Sequence, residues 1–487
     1  MNVRRTLIGA AIAIICIAAV VVSRQSQAIT TADFGSVAVV SRPYASHLSP
    51  LTTTWYCPGV PAGDDSVGGE VVIANVTDVA RNGSITLLGT DGMQPITEPI
   101  TVPPRDTLVF DVDEAATATY VSAFVELDGG EGMVEQRAIH PAGDAVASCA
   151  IQTSSTWYFA DGFTVSNSIE QLILTNPTAD TANLDITFVT AERIANPPAF
   201  QGRSIAPRSV QAISIAESGL RSESVIAVKV TTTAGRIIVG RAQHYLGGGR
   251  SGFTLSLGSS VVSDQLWFAN GVKQTGVSEQ YVLYNPTEQT VSVDVLVLGI
   301  GLPEGFVEPE PVSIAAGRVA TFDTSTIVGL PDGAHAMVFS TLAQPAIVAE
   351  RVLTEPTDTG VSTSVVLGMT AEYVVTRWYV PIGVDQATED ALVIQNLDGL
   401  DATVTVKAVG PAGAVAVPGL EAVSLPSSAV ISIDLTDPST FGQALVVEST
   451  QRIFVERRLP RGHDLEGRSG SWALPECGQC NFSLPGS

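Results

Sequence analysis

Arginine recurs at one point of a repeating pattern, as Arg137, Arg241, Arg351 and Arg457. Guanidinium groups placed so regularly can read acidic sugars or phosphate, or can serve carboxylates within the fold. Glu350 and Glu456 stand immediately before two of them, which favours an ion pair inside each domain or a stem laid over an apolar edge. Tryptophan recurs as Trp55, Trp157, Trp267 and Trp378. Aromatic faces stack on sugars, but an aromatic at a fixed point of every copy is expected in the core, where it buries ~150–250 Å².

The remaining reactive residues form no constellation for catalysis. His47, His140, His244, His335 and His463 lie far apart in sequence, and none has HExxH or a related zinc spacing. Neither Gly249-Arg250-Ser251-Gly252 nor Gly467-Arg468-Ser469-Gly470 is a nucleophile elbow, which needs Gly-x-Ser-x-Gly between a strand and a helix. Gly299-Ile300-Gly301 opens no dinucleotide fingerprint, because a Pro/Glu-rich loop follows it. Asp64-Asp65 and Asp111, Asp113, Glu114 are read as solvated acidic turns, since hard cations need more oxygens at a set spacing. The reading is therefore non-enzymatic, with no cofactor and no metal.

The elements that must position these residues come in four copies. The aromatic pairs Trp55-Tyr56, Trp157-Tyr158, Trp267-Phe268 and Trp378-Tyr379 are spaced 102, 110 and 111 residues apart. Each leads, 18 to 20 residues on, to an apolar run closing in asparagine: Asn75, Asn176, Asn285 and Asn396. Pro177 and Pro286 follow two of these; proline removes a ladder donor, and the Asn side chain bonds nearby backbone in the turn. Strand rhythm resumes in segments such as Leu184-Asp185-Ile186-Thr187-Phe188, and a last pair of strands carries the arginine. About 100 residues of short strands with frequent turns describe a β-sandwich. The fold expected is all-β, four tandem immunoglobulin-like sandwiches behind an N-terminal signal or anchor, with a β-propeller of two blades per copy as the alternative. Short connections predict a stiff rod. The expected boundaries are 1–28 signal or anchor, 29–52 extension, 53–155, 156–263, 264–374 and 375–475 for the repeats, and 476–487 for a cysteine-containing tail.

Arg4 and Arg5 precede the apolar stretch Thr6 to Val22, and a small-x-small site ends at Ala28. This reads either as a cleaved signal peptide or as an uncleaved single-pass anchor, and both export the remainder to the envelope or beyond. Export makes the cysteines legible. Without Cys16, four remain, and of three possible pairings we favour Cys57–Cys149 with Cys477–Cys480. The charge balance, 25 Lys+Arg against 49 Asp+Glu or −24, argues against non-specific nucleic-acid binding and for cations or basic partners.

Trp55-Tyr56-Cys57-Pro58-Gly59, Ser148-Cys149-Ala150, Trp157-Tyr158-Phe159-Ala160-Asp161-Gly162 and Gly235-Arg236-Ile237-Ile238-Val239 resemble an actinobacterial family of exported envelope proteins of unknown function, built from Trp-Tyr/Phe…Asn-Pro β-repeats. The resemblance covers roughly residues 54–460. It implies that Cys57 and Cys149 are a pair, and a gene often near a membrane glycosyltransferase implies a role in envelope polysaccharide. No catalytic residues come with it. The expected function is a non-catalytic extracellular scaffold or adhesion-type protein whose partner is an envelope protein or polysaccharide, with the membrane as a further partner if the N-terminus stays uncleaved. The alternative is a carbohydrate-binding array, for which Tyr245, Phe253 and Phe306 are the loop aromatics available.

Overall fold

A computed structural model of the chain describes residues 43–46, 52–63, 66–130, 132–301, 303–341, 346–384 and 390–477. The chain divides into two units, Met1–Val40 and Ser41–Ser487. The signal or anchor segment, Cys16, the Ala28 site, His47, Asp64, Asp65, Cys480 and the side chain of Cys477 lie outside the described residues.

Among its described residues the second unit is all-β apart from one four-residue helix, Val112–Ala115, and short 3₁₀ turns. Its sheets pack in pairs as sandwiches. In the second repeat, Thr156–Phe159, Ile226–Ala234, Ala182–Thr190 and Ile194–Ala195 lie side by side, forming an aromatic sheet. Facing it, Ser209–Ser214, Ile169–Asn176, Ile238–Gly247 and Arg250–Leu257 form an arginine sheet. Trp157, Phe159, Ile186 and Val230 of the first sheet share one core with Leu172, Leu174, Ile213 and Val239 of the second. The same two-sheet plan serves the first and third repeats. In the fourth, the strand Ala444–Pro460 is continuous and pairs in both sheets.

The asparagine that ends each apolar run makes the same bonds in all four places. Its Nδ2 donates to the carbonyl four residues on, at 2.8, 2.8, 2.7 and 2.8 Å from Asn75, Asn176, Asn285 and Asn396. It also reaches two carbonyls of the strand crossing behind, as from Asn176 to Ile205 and Ala206. Its Oδ1 accepts the amide two residues on. One buried amide thus fixes a turn and staples two strands, which explains why only Asn stands there.

The repeats do not extend into a rod. The closing strands Ala145–Ser148, Arg250–Leu257, Gly360–Leu367 and Arg468–Trp472 pack against one another in the cyclic order first, second, third, fourth, first. Around them, the aromatic sheet of each repeat lies against the arginine sheet of the next. Ala160, Val189 and Ala227 meet Val282, Tyr284 and Val348 between the second and third repeats. Tyr379 and Val446 of the fourth join the core of the first. The physical reason is visible along the arginine sheets. Runs such as Leu172-Ile173-Leu174 are buried at every position, so both faces are apolar and each sheet needs cover on both sides. A rod of separate sandwiches would leave one face wet. The circuit of face-packed sheets is what the propeller alternative anticipated, achieved here by sandwiches.

The N-terminal extension contributes to closure. Ala45–Ser46 pairs in parallel with Leu474–Cys477, which itself pairs with the aromatic strand Val375–Val380 of the fourth repeat. The expected tail boundary at 476 therefore falls inside a strand. Across the first repeat, Cys57 and Cys149 form a disulfide with a Cα–Cα distance of 4.2 Å. It ties the aromatic strand to the end of the closing strand, where Tyr56 and Ala150 also exchange backbone bonds.

Candidate functional site

The repeated arginines act at the junctions between repeats. Neighbouring residues of a strand point to opposite faces, so Glu350 and Arg351 cannot pair with each other. Glu350 turns back to the second repeat, where its Oε1 meets Arg241 Nη2 at 2.8 Å and its Oε2 accepts the amides of Ala160 at 2.9 Å and Asp161 at 2.6 Å. Arg351 turns forward and pairs through both Nη atoms with Glu456 of the fourth repeat, whose Oε2 accepts the amides of Ala269 and Asn270. Arg457 continues the circuit to Glu135 of the first repeat at 2.9 Å. These side chains are at most 5% exposed. The expectation of ion pairs inside each domain is corrected for Arg241, Arg351 and Arg457, whose carboxylate partners belong to another repeat, and holds for Arg137.

Arg137 is not the fourth member. Leu172, Tyr281 and Leu392 stand opposite Arg241, Arg351 and Arg457, whereas their counterpart Val71 stands opposite Gln136. Arg137 is one position further on and turns to partly exposed surface, against Glu70 and Asp144. The junction between first and second repeats is consequently neutral. Gln136 Oε1 accepts the Gly59 amide at 3.0 Å, and Gly240 stands where the other repeats carry glutamate. Pro58 occupies the space a side chain at 240 would need.

Trp267 departs in the same way. Trp55, Trp157 and Trp378 are buried inside their sandwiches, opposite Val125, Val230 and Val447. In the third repeat the residue in that place, opposite Phe339, is Leu266. A one-residue offset sends Trp267 to the other face of the sheet, where it is half-buried against Phe454 of the fourth repeat at 5.5 Å between ring centres.

A group of charged and titratable residues, some buried and some exposed, gathers at the hairpin turns beside the closing strands. Arg461, buried, donates to Ala142 O of the first repeat and to Ser362 Oγ of the third at 2.7 Å, and its guanidinium fills the space over Gly252 of the second. It touches all four repeats from one position. Its own carbonyl accepts the Asp144 amide at 2.6 Å. Asp144 accepts from the His140 amide, pairs with Arg137 at 3.2 Å and lies 3.4 Å from the exposed His463. His140 stacks on Phe253 at 4.2 Å and meets His244 edge-on at 5.0 Å. Its Nδ1 accepts the Ala142 amide, so the neutral ring carries its proton on Nε2. Burial pulls His244 below the usual histidine range and Arg461 below the usual arginine range. The arrangement offers cationic and titratable groups at a turn, with Asp144 as their shared anchor. Among the described residues no group of three or more His, Cys, Asp and Glu is placed to hold a metal ion.

Other expected candidates are placed elsewhere. Asp111 caps the short helix by accepting the amides of Asp113 and Glu114, and Asp113 accepts the Gly69 amide at 2.6 Å. Tyr245 and Phe253 are buried strand residues rather than loop aromatics. His335 is fully buried, 3.0 Å from Glu279, which also accepts the Tyr281 hydroxyl. Sequence reasoning did not single out Asp144, Glu170 or Arg461. The one signal available was that Arg461 and Asp144 flank the glycines of hairpins between arginine strand and closing strand.

Residues 260–470, spanning all of the third repeat and nearly all of the fourth, match a family of unknown function (DUF5719). The match includes the Arg351–Glu456 junction. No curated protein matches the chain. Among solved structures, the crystal structure of Thermotoga maritima 1070 aligns over 22% of this chain and 95% of its own, at 15% identity and a TM-score of 0.19. A likeness of that degree carries no argument about fold or function.

Proposed function

We propose that this protein is an exported, non-catalytic scaffold of the cell envelope, which presents a rigid β-ring to an envelope protein or polysaccharide. One observation supports this most directly: three of the four repeated arginines, Arg241, Arg351 and Arg457, are consumed, buried, in joining repeat to repeat. The recurrent chemistry of the sequence serves rigidity and is withdrawn from ligands. The Cys57–Cys149 disulfide agrees with an oxidising compartment. None of the described helices is long and apolar enough to cross a membrane, so an anchoring role falls to the segment 1–28.

Intact mass and N-terminal sequencing of the protein recovered from envelope and medium of its host test the address. A chain starting at Ile29, or an uncleaved chain in the membrane fraction, supports the proposal. A cytosolic protein with free thiols at Cys57 and Cys149 overturns it, and turnover of a glycan by the purified protein overturns the non-catalytic reading.

A further inference from the structure

The strand that follows the asparagine turn lies near the outer edge of each aromatic sheet, and three of the four repeats cover it. In the first, Ile96–Val102 pairs along Arg81 to Leu87. In the second, Ile194–Ala195 and Arg203–Ile205 pair at the two ends, and between them Gln201 Nε2 donates to Ile186 O at 2.8 Å while the Gly202 amide donates to the Asp185 carboxylate. In the fourth, Gly413–Ala416 and Val423–Leu425 pair with it, and Val406 is bonded on both its backbone groups to Leu420 and Val417.

The third repeat lacks this cover. Val312–Ile314 pairs with Val291 to Val293 only, and the outer edge of Asp294 to Leu298 has no backbone partner among the described residues. Where the others place a strand, residues 299–311 hold three glycines and three prolines, a composition that cannot sustain a ladder. The loop stands off the edge and leaves a cavity of about 430 Å³ between Val295–Gly299, Phe306 and the turn Ser427–Ala429 of the fourth repeat. That is within the ~300–1,000 Å³ range of binding clefts. Leu296 and Val307 are exposed beside it.

Natural sheets protect such an edge with lysine, proline or a bulge. Strand Val291–Leu298 has none: its sequence lacks Lys and Pro, and its pairing with Gly333–Thr341 runs without a register shift. The charge around it has one sign. Asp294, Glu304, Glu308 and Glu310 lie within residues 294–311, which contain no Lys or Arg. One acid on this edge and three on the adjoining loop oppose pairing with the same edge of a second copy and favour a basic strand.

We propose that the outer edge of Asp294 to Leu298 is a docking site for an extended, basic polypeptide segment of a partner protein, which adds a strand to the third repeat. Main-chain bonds to the unpaired edge supply affinity, the apolar groove takes alternate side chains, and Lys or Arg on the partner meets the glutamates. The proposal goes beyond the scaffold reading and does not depend on export.

The test uses the purified protein and a capped peptide of two Lys-Thr-Lys-Val units as probe, by calorimetry at low salt with hydrogen exchange as the site-resolved readout. The expected result is saturable binding with slowed exchange confined to Asp294 to Leu298. Methylating alternate peptide nitrogens keeps charge and length but removes ladder donors, and is expected to abolish binding. Exchanging Lys for Glu in the peptide is expected to do the same. The variant E308K/E310K, on an exposed loop, is expected to weaken the Lys peptide roughly tenfold without changing Tm. Equal binding of the N-methylated peptide, protection elsewhere on the molecule, or concentration-dependent protection of this edge without peptide each overturns the proposal.

Discussion

A buried charge is tolerated only with its partner, and the junction arginines test that directly. Arg351→Met leaves Glu456 buried and uncompensated at the junction of third and fourth repeats. We expect a loss of about 3–5 kcal/mol in chemical denaturation, because the cost lies in the orphaned carboxylate. Adding Glu456→Gln should recover most of it, since the amide oxygen still accepts from Ala269 and Asn270. Equal losses in the single and double variants would mean the pair is not coupled. Glu170 makes a second prediction. Burial, reinforced by Asp161 and Glu350 and opposed by Arg241, pushes its carboxyl up to about 8. A carboxyl raised in the folded state contributes stability that is complete below the ordinary glutamate range and lost as pH rises through about 8. Glu170→Gln removes that loss. The Tm of the variant relative to the natural protein should therefore rise from pH 5 to about pH 8 and level off above it, and a constant difference would refute the assignment.

At the scale of the element, the asparagine turn is the joint on which each sandwich is built. Asn285 donates to Gln289, Ile314 and Ala315, and its Oδ1 takes the Thr287 amide and hydroxyl. Asn285→Ala leaves buried backbone carbonyls without a donor and should cost about 2–4 kcal/mol in denaturant unfolding, each orphaned group contributing ~1–3 kcal/mol. Hydrogen exchange should accelerate first in Val312–Ile314, the strand this side chain holds. The turn was legible from the recurring asparagine, followed by proline in two repeats, because its bonds to Gln289 and Thr287 are short-range; the bonds to Ile314 and Ala315 were not. The aromatic strand of the third repeat was not. Trp267-Phe268 looks like Trp157-Tyr158, yet Leu266 takes the core position. An offset of one residue is invisible in an aromatic pair and obvious once the cross-strand partner, Phe339, is known.

At the scale of the molecule, ring closure couples the repeats. Separate domains on a rod would melt separately, and reduction of Cys57–Cys149 would weaken the first alone. With sheet packed on sheet at every junction and buried ion pairs at three of the four, calorimetry should show one cooperative transition. Reduction should lower that whole transition, by on the order of 4–5 kcal/mol for a 92-residue separation in the chain-entropy model. Resolved transitions would show that the junctions do not couple. What the sequence determined by itself is what local chemistry forces: β structure from alternation, four copies from the recurring landmarks, and the turns from the recurring asparagine. Only tertiary structure decided which carboxylate each arginine meets, that Gln136 replaces Arg137 in the series, and that the fourth repeat returns to the first. Those outcomes depend on register and on which sheet face meets which. Residues more than 300 apart in the chain, such as Glu135 and Arg457, become partners only when all four repeats are in place.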